Sequence, residues 1–177
     1  MSVSLIFLIA AGGLVLYIIA VYNGLASMRT RIAASLQEMG NQLKRQFELI
    51  PNLEASVKGY LKHEKDILTL LADARKLSAA GKDASAKIAD LLPKLQIVVE
   101  SNPQLKGSDV VGKLMEELRD TSDKIMYSRR TMIDLSADYN IQLVTFPSSV
   151  IANAFGFKPE KGLEVPEDET KTPKISI

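Results

Sequence analysis

Apolar side chains run unbroken at the start of the chain and afterwards fall into steps of three and four. From Val3 to Val21, "VSLIFLIAAGGLVLYIIAV" holds no charged residue, and the first charge in the chain is Arg29. About 19 residues rising 1.5 Å each span roughly 28 Å, the thickness of a bilayer's hydrocarbon layer. Gly12 and Gly13 do not spoil this reading, since glycine is frequent in membrane helices, and Tyr17 and Tyr22 suit an interfacial belt. Beyond the run, Leu25, Met28, Ile32, Leu36, Met39, Leu43, Phe47 and Ile50 keep the helical period. Arg29, Arg31, Gln37, Glu38, Lys44 and Arg45 fall mostly on other faces. No turn signal separates the two stretches, so one continuous helix is predicted.

Pro51-Asn52 interrupts that pattern. Proline removes a helix hydrogen bond and pushes Ile50 towards extended geometry, so a turn here would leave two antiparallel helices of similar length. Against a turn, the apolar phase passes smoothly from Ile50 through Leu53 to Val57, as in a kinked helix. The reading favours a break at Pro51 and a second helix over about Leu53–Leu77, closed by the polar, Gly-centred "LSAAGKDAS". A third, shorter helix carries Ile88, Leu91, Leu92, Leu95 and Val98, with Pro93 predicting a kink or a division. "ESNPQLKGSD" reads as a loop. The fourth helix runs from about Val110 to Val144 and can be capped by Ser108 or Asp109. "FPSSVIANAFGFKP" shows no helical period and reads as an apolar loop packing back on the bundle. "EKGLEVPEDETKTPKISI" is charged and proline-bearing, which predicts an extended or disordered tail.

These elements give an all-α protein: an N-terminal transmembrane helix continuing into an antiparallel bundle of about four helices. The divisions are residues 1–22 for the anchor, 23–157 for the bundle and 158–177 for the tail. A cleaved signal peptide is the competing reading of the first span, with a candidate cleavage site at Gly24-Leu25-Ala26. "MSVS" lacks its basic leader and the apolar run is longer than a signal core, so a retained anchor is expected. Arg29, Arg31, Lys44 and Arg45 follow the span, which places the body in the cytoplasm and the N-terminus outside. Gly13, Ala20 and Gly24 share one face of the helix, a small-residue stripe compatible with helix association.

Composition narrows function mainly by exclusion. Lys and Arg total 22 against 21 Asp and Glu, so no basic field argues for nucleic acid. There is no cysteine, which removes disulfides and thiolate metal sites. His63-Glu64 lacks the second histidine of a zincin, because residue 67 is Ile. A carboxylate-bridged metal site wants Glu three residues before His63, where Tyr60 stands. Glu38, Glu48 and Glu54 flank basic residues and are expected to be solvated. Gly81-Lys82 and Gly112-Lys113 lack the rest of a phosphate-binding loop, and Ser148 lacks a histidine base. Arg129 and Arg130 sit mid-helix beside Tyr127. Either they are stem-packed with heads in water, or one is drawn inward to pair with Glu54, Asp66 or Asp134.

Several strings together resemble the LemA family of bacterial membrane proteins: "YNGL" at 22–25, "QLKRQFELIPNLEASVKGYLKHE" at 42–64, Ala74-Arg75, "SRR" at 128–130, "YN" at 139–140 and "FPSSVIANAFGF" at 146–157. The chain departs from the family at "AASLQEM" and at "SNPQLKG". The resemblance implies a membrane helix followed by an antiparallel helical bundle in the cell envelope, with relatives tied to magnetosome membranes. It marks Pro51, Asn52, Arg129, Arg130, Tyr139, Asn140, Phe146, Pro147 and Phe157 as structural or partner-binding residues. It carries no catalytic residue and no cofactor. The combined expectation is a non-enzymatic scaffold at the cytoplasmic membrane, with the lipid bilayer, a second copy or other membrane proteins as partners. The alternative is a regulatory binder of a membrane protease or signalling system, and an enzyme is the least supported reading.

Overall fold

The computed structural model describes residues 3–61 and 64–161. Among these it is all-α, with helices α1 (Val3–Val57), α2 (Lys65–Ala79), α3 (Ser85–Ser101), α4 (Pro103–Lys106), α5 (Asp109–Val144) and α6 (Ser148–Ala154). The chain divides into two compact units, residues 1–34 with 131–177, and residues 35–130. α1 and α5 contribute turns to both.

In the unit of residues 35–130, four helix faces close on one apolar cluster. α1 supplies Leu49, Ile50, Leu53 and Val57; α2 supplies Ile67, Leu71 and Ala74; α3 supplies Ile88, Leu91, Leu92, Leu95 and Val99; α5 supplies Val111, Met115 and Leu118. Each set repeats at three or four residues, so each helix buries one stripe and leaves its charges outside. α2 and α3 form an antiparallel hairpin, with Lys87 of α3 3.5 Å from Asp73 of α2. α2 ends on Gly81, whose φ of 69° is a left-handed position that glycine fills without a Cβ penalty. Lys82 N–H donates to the Leu77 carbonyl and Gly81 N–H to that of Ser78, the paired bonds of a Schellman end. Ser108 caps α5, accepting from Val111 N–H at 3.4 Å.

In the unit of residues 1–34 and 131–177, Leu25 and Ile32 of α1 pack with Met132, Tyr139 and Leu143 of α5 and Ala152 of α6. α6 also ends in a Schellman pair, with Phe157 N–H donating to Ala152 and Gly156 N–H to Asn153, and Gly156 holding φ 72°. The side chain following this glycine, Phe157, turns inward onto the same cluster.

The expected break at Pro51 does not occur: α1 continues through it to Val57. The ring is only half-buried, its neighbour Asn52 is exposed, and the carbonyl left without a donor belongs to the half-exposed Phe47. The lost hydrogen bond therefore faces water while Ile50, Leu53 and Val57 keep their register in the core. The turn comes at Gly59 instead, closed by Tyr60 N–H to Val57 O at 2.9 Å. The second helix consequently begins at Lys65 rather than near Leu53. Leu36, Phe47 and Tyr60, expected on inner stripes, are substantially exposed. α3 likewise passes through the exposed Pro93 undivided.

Two expected loops hold short helices. Asn102 caps α4, accepting from Gln104 N–H at 3.0 Å, with Pro103 opening the helix, so Asn-Pro here marks a helix start. α6 occupies the middle of "FPSSVIANAFGFKP", anchored at its start by Ser148, whose hydroxyl meets the carbonyls of Gln142 and Thr145. Of the expected tail, residues 158–161 are irregular and 162–177 lie outside the described residues.

Helix continuity at Pro51 is measurable by spin labels at the exposed Asn41 and Ala55. An unbroken α1 holds these sites about 21 Å apart. A turn at Pro51 brings them well below that separation, and a short distance would disprove the continuous helix.

Candidate functional site

The most built-up polar arrangement lies where irregular backbone after α6 runs beside α1 and α5. Tyr22 meets the ring of Phe155 at 5.0 Å and that of Phe157 at 5.4 Å, both edge-on. Such pairs add about 0.5–1.5 kcal/mol beyond the area they bury. The wholly buried Tyr139 donates its hydroxyl to the Lys158 carbonyl at 3.0 Å. Asn140 then closes a two-way pair with Glu160, its Nδ2 donating to the carbonyl at 2.9 Å and its Oδ1 accepting from the N–H at 3.0 Å. Arg29 Nε lies 3.2 Å from Glu160 Oε1, in a mostly exposed pair that salt screens. Phe155, Phe157 and Glu160 thus follow α1 in step from Tyr22 to Arg29.

Burial pushes the Tyr139 phenol above its usual pKa; the Arg29 charge opposes the shift and Glu160 adds to it. The phenol is accordingly held neutral as a donor. Its contribution to stability is complete below the unfolded tyrosine's pKa of about 10 and is lost as pH rises through the raised folded value.

The unit of residues 35–130 has its own polar centre. Gln46 is fully buried, accepts from Ala84 N–H at 3.0 Å, and directs its Nε2 at Ser85 Oγ (3.3 Å) and Ser122 Oγ (3.5 Å). Asp83 accepts from Ser85 N–H at 2.8 Å and ion-pairs with Arg129 at 3.6 Å. Together Gln46 and Asp83 satisfy two of the backbone donors opening α3, those of Ala84 and Ser85. A groove of about 440 Å³ runs between α1 and the end of α2, with Leu43 and Phe47 on its floor and Lys44, Glu48 and Lys82 among its lining. These are charges on flexible stems without a nucleophile and base in contact. Among the described residues no three His, Cys, Asp or Glu side chains gather as a metal site. His63 lies outside the described residues.

The structure separates the residues singled out from the sequence. Tyr139, Asn140 and Phe157 come together in the arrangement just described, whereas Phe146 and Pro147 stand exposed at the corner before α6. The apolar loop expected to pack back does so through the buried Ile151 and Ala152, through Phe157, and through the edge of Phe155 on Tyr22. Arg129 is drawn in to Asp83, a partner outside the expected set, and Glu54 takes Arg75 at 3.0 Å. Arg130 is exposed. Pro51 lines the side of a small groove with Phe47 and Arg75. Gly13 and Ala20 are exposed, and a Cβ added at Gly13 or Gly24 meets nothing within the chain. Gln46, Asp83, Phe155 and Glu160 were missed. Gln46 was readable, since it stands four residues before Ile50 on the face that goes on to Leu53 and Val57.

Residues 35–177 match the sequence model of the LemA family. The chain belongs to the LemA family. No curated protein matches it significantly. In this LemA-family chain the "YN" pair at 139–140 is therefore a clamp on its own backbone, and "FPSSVIANAFGF" is the corner, helix and turn that deliver that backbone. Among the described residues α1 is the one helix long and apolar enough to cross a membrane, with mean hydropathy 2.6 over its most apolar window and none of that window buried.

Two substitutions test the clamp. Tyr139→Phe should lower stability by about 1 kcal/mol at neutral pH, the net worth of one hydrogen bond. The deficit should shrink above about pH 10, where only the wild type must hold a phenol protonated. Denaturant titrations at neutral and alkaline pH read both, and a gap that does not narrow contradicts the buried-donor role. Asn140→Asp sets a carboxylate against the Glu160 carbonyl, so trypsin should cut after Lys161 about tenfold faster, as expected for roughly 1.4 kcal/mol of lost local stability. Unchanged cleavage would show that Asn140 does not hold the segment.

Proposed function

We propose that this LemA-family protein is a non-enzymatic scaffold held at the cytoplasmic membrane by the first turns of α1. The observation that carries this reading is the uncharged stretch Val3–Val21, with its large side chains exposed and the same helix running on into a packed interior. Leaving that much apolar surface in water costs about 25 cal/mol per Å², which a hydrocarbon layer removes. In a cleaved leader no packing would depend on the residues just after the span, yet here Leu25 is wholly buried and Tyr22 carries two aromatic contacts. Cleavage at Gly24-Leu25-Ala26 would strip the Tyr22 contacts away.

Orientation rests on Arg29 and Arg31, which favour the cytoplasmic side for the body. The small-residue face of Gly13, Ala20 and Gly24 is open to a second helix, which supports self-association or docking of another membrane protein. The clamp around Tyr139 and the Gln46 centre consist of holding contacts, which suits a rigid binding body better than a reaction site.

The full chain should remain with membranes after alkaline carbonate washing, and protease added outside spheroplasts should spare the body. Recovery of a soluble chain beginning near Ser27 would remove the anchor, and outside digestion would reverse the topology. Native mass measurement in detergent should show a homo-oligomer; a strict monomer would shift the reading to a binder awaiting a different partner.

A further inference from the structure

The corner between α5 and α6 and the outer side of α6 carry large apolar side chains that are mostly exposed. Val144 is 79% exposed, Phe146 79%, Val150 61% and Phe155 56%. Between Asp138 and Lys158 the chain has no charged side chain, a second uncharged stretch that matches the one before Arg29. The two stretches meet. Phe155 stacks edge-on with Tyr22, and Tyr22 is the first residue beyond the apolar run Val3–Val21.

That contact fixes a level. With Val3–Val21 filling the hydrocarbon layer, Tyr22 stands in the interfacial layer, which is roughly 5–8 Å thick on each side of a bilayer. The ring of Phe155, 5.0 Å away, stands there too. Val150 lies about 7 Å along α6 from Phe155 and cannot be far from that layer. Charge returns at Asp138 and Lys158, and Arg29 and Glu160 form an ion pair beyond Phe157. Exposed aromatic and aliphatic side chains, no charge to be desolvated and a fixed depth beside a membrane span favour a place at the boundary of headgroups and acyl chains.

We infer that α6 and the corner before it form a foot that rests in the bilayer crossed by α1, with Val144, Phe146, Val150 and Phe155 inserted at the boundary of headgroups and acyl chains. This rests on the anchor reading of α1. Because the foot presents no lysine or arginine of its own, its insertion does not depend on anionic lipid. The Asn140 and Tyr139 clamp holds Lys158 and Glu160 on α5, and the Arg29–Glu160 pair and the Tyr22 ring contacts tie the same segment to α1, which keeps the foot at its level. The foot gives the membrane a second attachment, which restrains the tilt and rotation that one spanning helix leaves free.

The chain contains no tryptophan, so single reporters can be placed in the full-length protein. Leu16→Trp, Val150→Trp and Phe155→Trp are reconstituted separately in phosphatidylcholine vesicles containing lipids brominated either near the headgroup or deep in the acyl chain. Leu16→Trp should be quenched most by the deep bromines. Val150→Trp and Phe155→Trp should emit at blue-shifted wavelengths and lose about twofold in intensity to the shallow bromines, as interfacial residues do. Adding phosphatidylserine should leave these values unchanged. Hydrated, unquenched emission at both foot positions beside a quenched Leu16→Trp overturns the foot and leaves the anchor standing. Blue-shifted emission that no brominated lipid quenches also overturns it, and assigns the face to a protein partner or a second copy. An unquenched Leu16→Trp overturns anchor and foot together.

Discussion

Irregular backbone laid against helices must find partners for its N–H and C=O groups, and in this protein carboxamide side chains supply them. Asn140 offers a donor and an acceptor to the N–H and C=O of one residue, Glu160, which a carboxylate or a hydroxyl in its place would do less well. Gln46 does the equivalent for the start of α3, accepting from Ala84 while its amino group addresses two serine hydroxyls. Gln46 is buried on a face that otherwise carries Leu49, Ile50, Leu53 and Val57, and Asn140 is partly buried beside Tyr139. The satisfaction of each requires the irregular segment to be in place. These bonds give direction to the entry of α3 and to the backbone after α6, whose apolar contacts run through Ile151, Ala152 and Phe157.

The helices themselves were largely legible. The uncharged run, the heptad-like steps through Ile50 and the long stripe from Val111 to Tyr139 each point to a helix, and α1, α3 and α5 occupy them. Misreadings gathered at prolines and glycines, where the local rule depends on which side of the helix meets water. Pro51 is half-buried and Pro93 exposed, and the carbonyls they orphan belong to the exposed Phe47 and Ala89, where water can take the place of the lost donor and the helix survives. Gly59, with no Cβ and low helix propensity, ends α1 instead, although no proline stands there. In "FPSSVIANAFGF" the seven residues of α6 are too few to show a period, and only the Gly156-Phe157 pair betrays a helix end. The clamp was half legible: "YN" stood out as a motif, but its partners are backbone atoms of Lys158 and Glu160, which no residue pattern announces.

Charge is distributed by position as well as by count. The near balance of 22 basic and 21 acidic residues conceals two stretches with none, before Arg29 and between Asp138 and Lys158. The Tyr22, Phe155 and Phe157 rings join the two. In the other unit, ion pairs such as Arg45–Glu117 and Arg75–Glu54 lie on partly exposed faces, where they favour solubility more than stability. One unit is thus dressed for water, while part of the other is dressed for a less polar medium. That contrast supports a protein working at a membrane surface independently of any family resemblance.

A rigid attachment has consequences for how such a body meets partners. A single spanning helix fixes a protein's depth but leaves it free to turn about the helix axis, so a binding face points at a given neighbour only part of the time. A second contact in the same interface removes most of that freedom before any partner arrives. Lost rotational and translational freedom is a leading cost of association, and restricting it beforehand raises affinity without a new contact. The edge-on rings at Tyr22 link α1, and the amide pair at Asn140 links α5, to the segment that follows α6. Their stiffness would be wasted on a freely tumbling domain. On the scaffold proposed above, whose face would have to stay aligned with other proteins in a bilayer, it is the property that would matter.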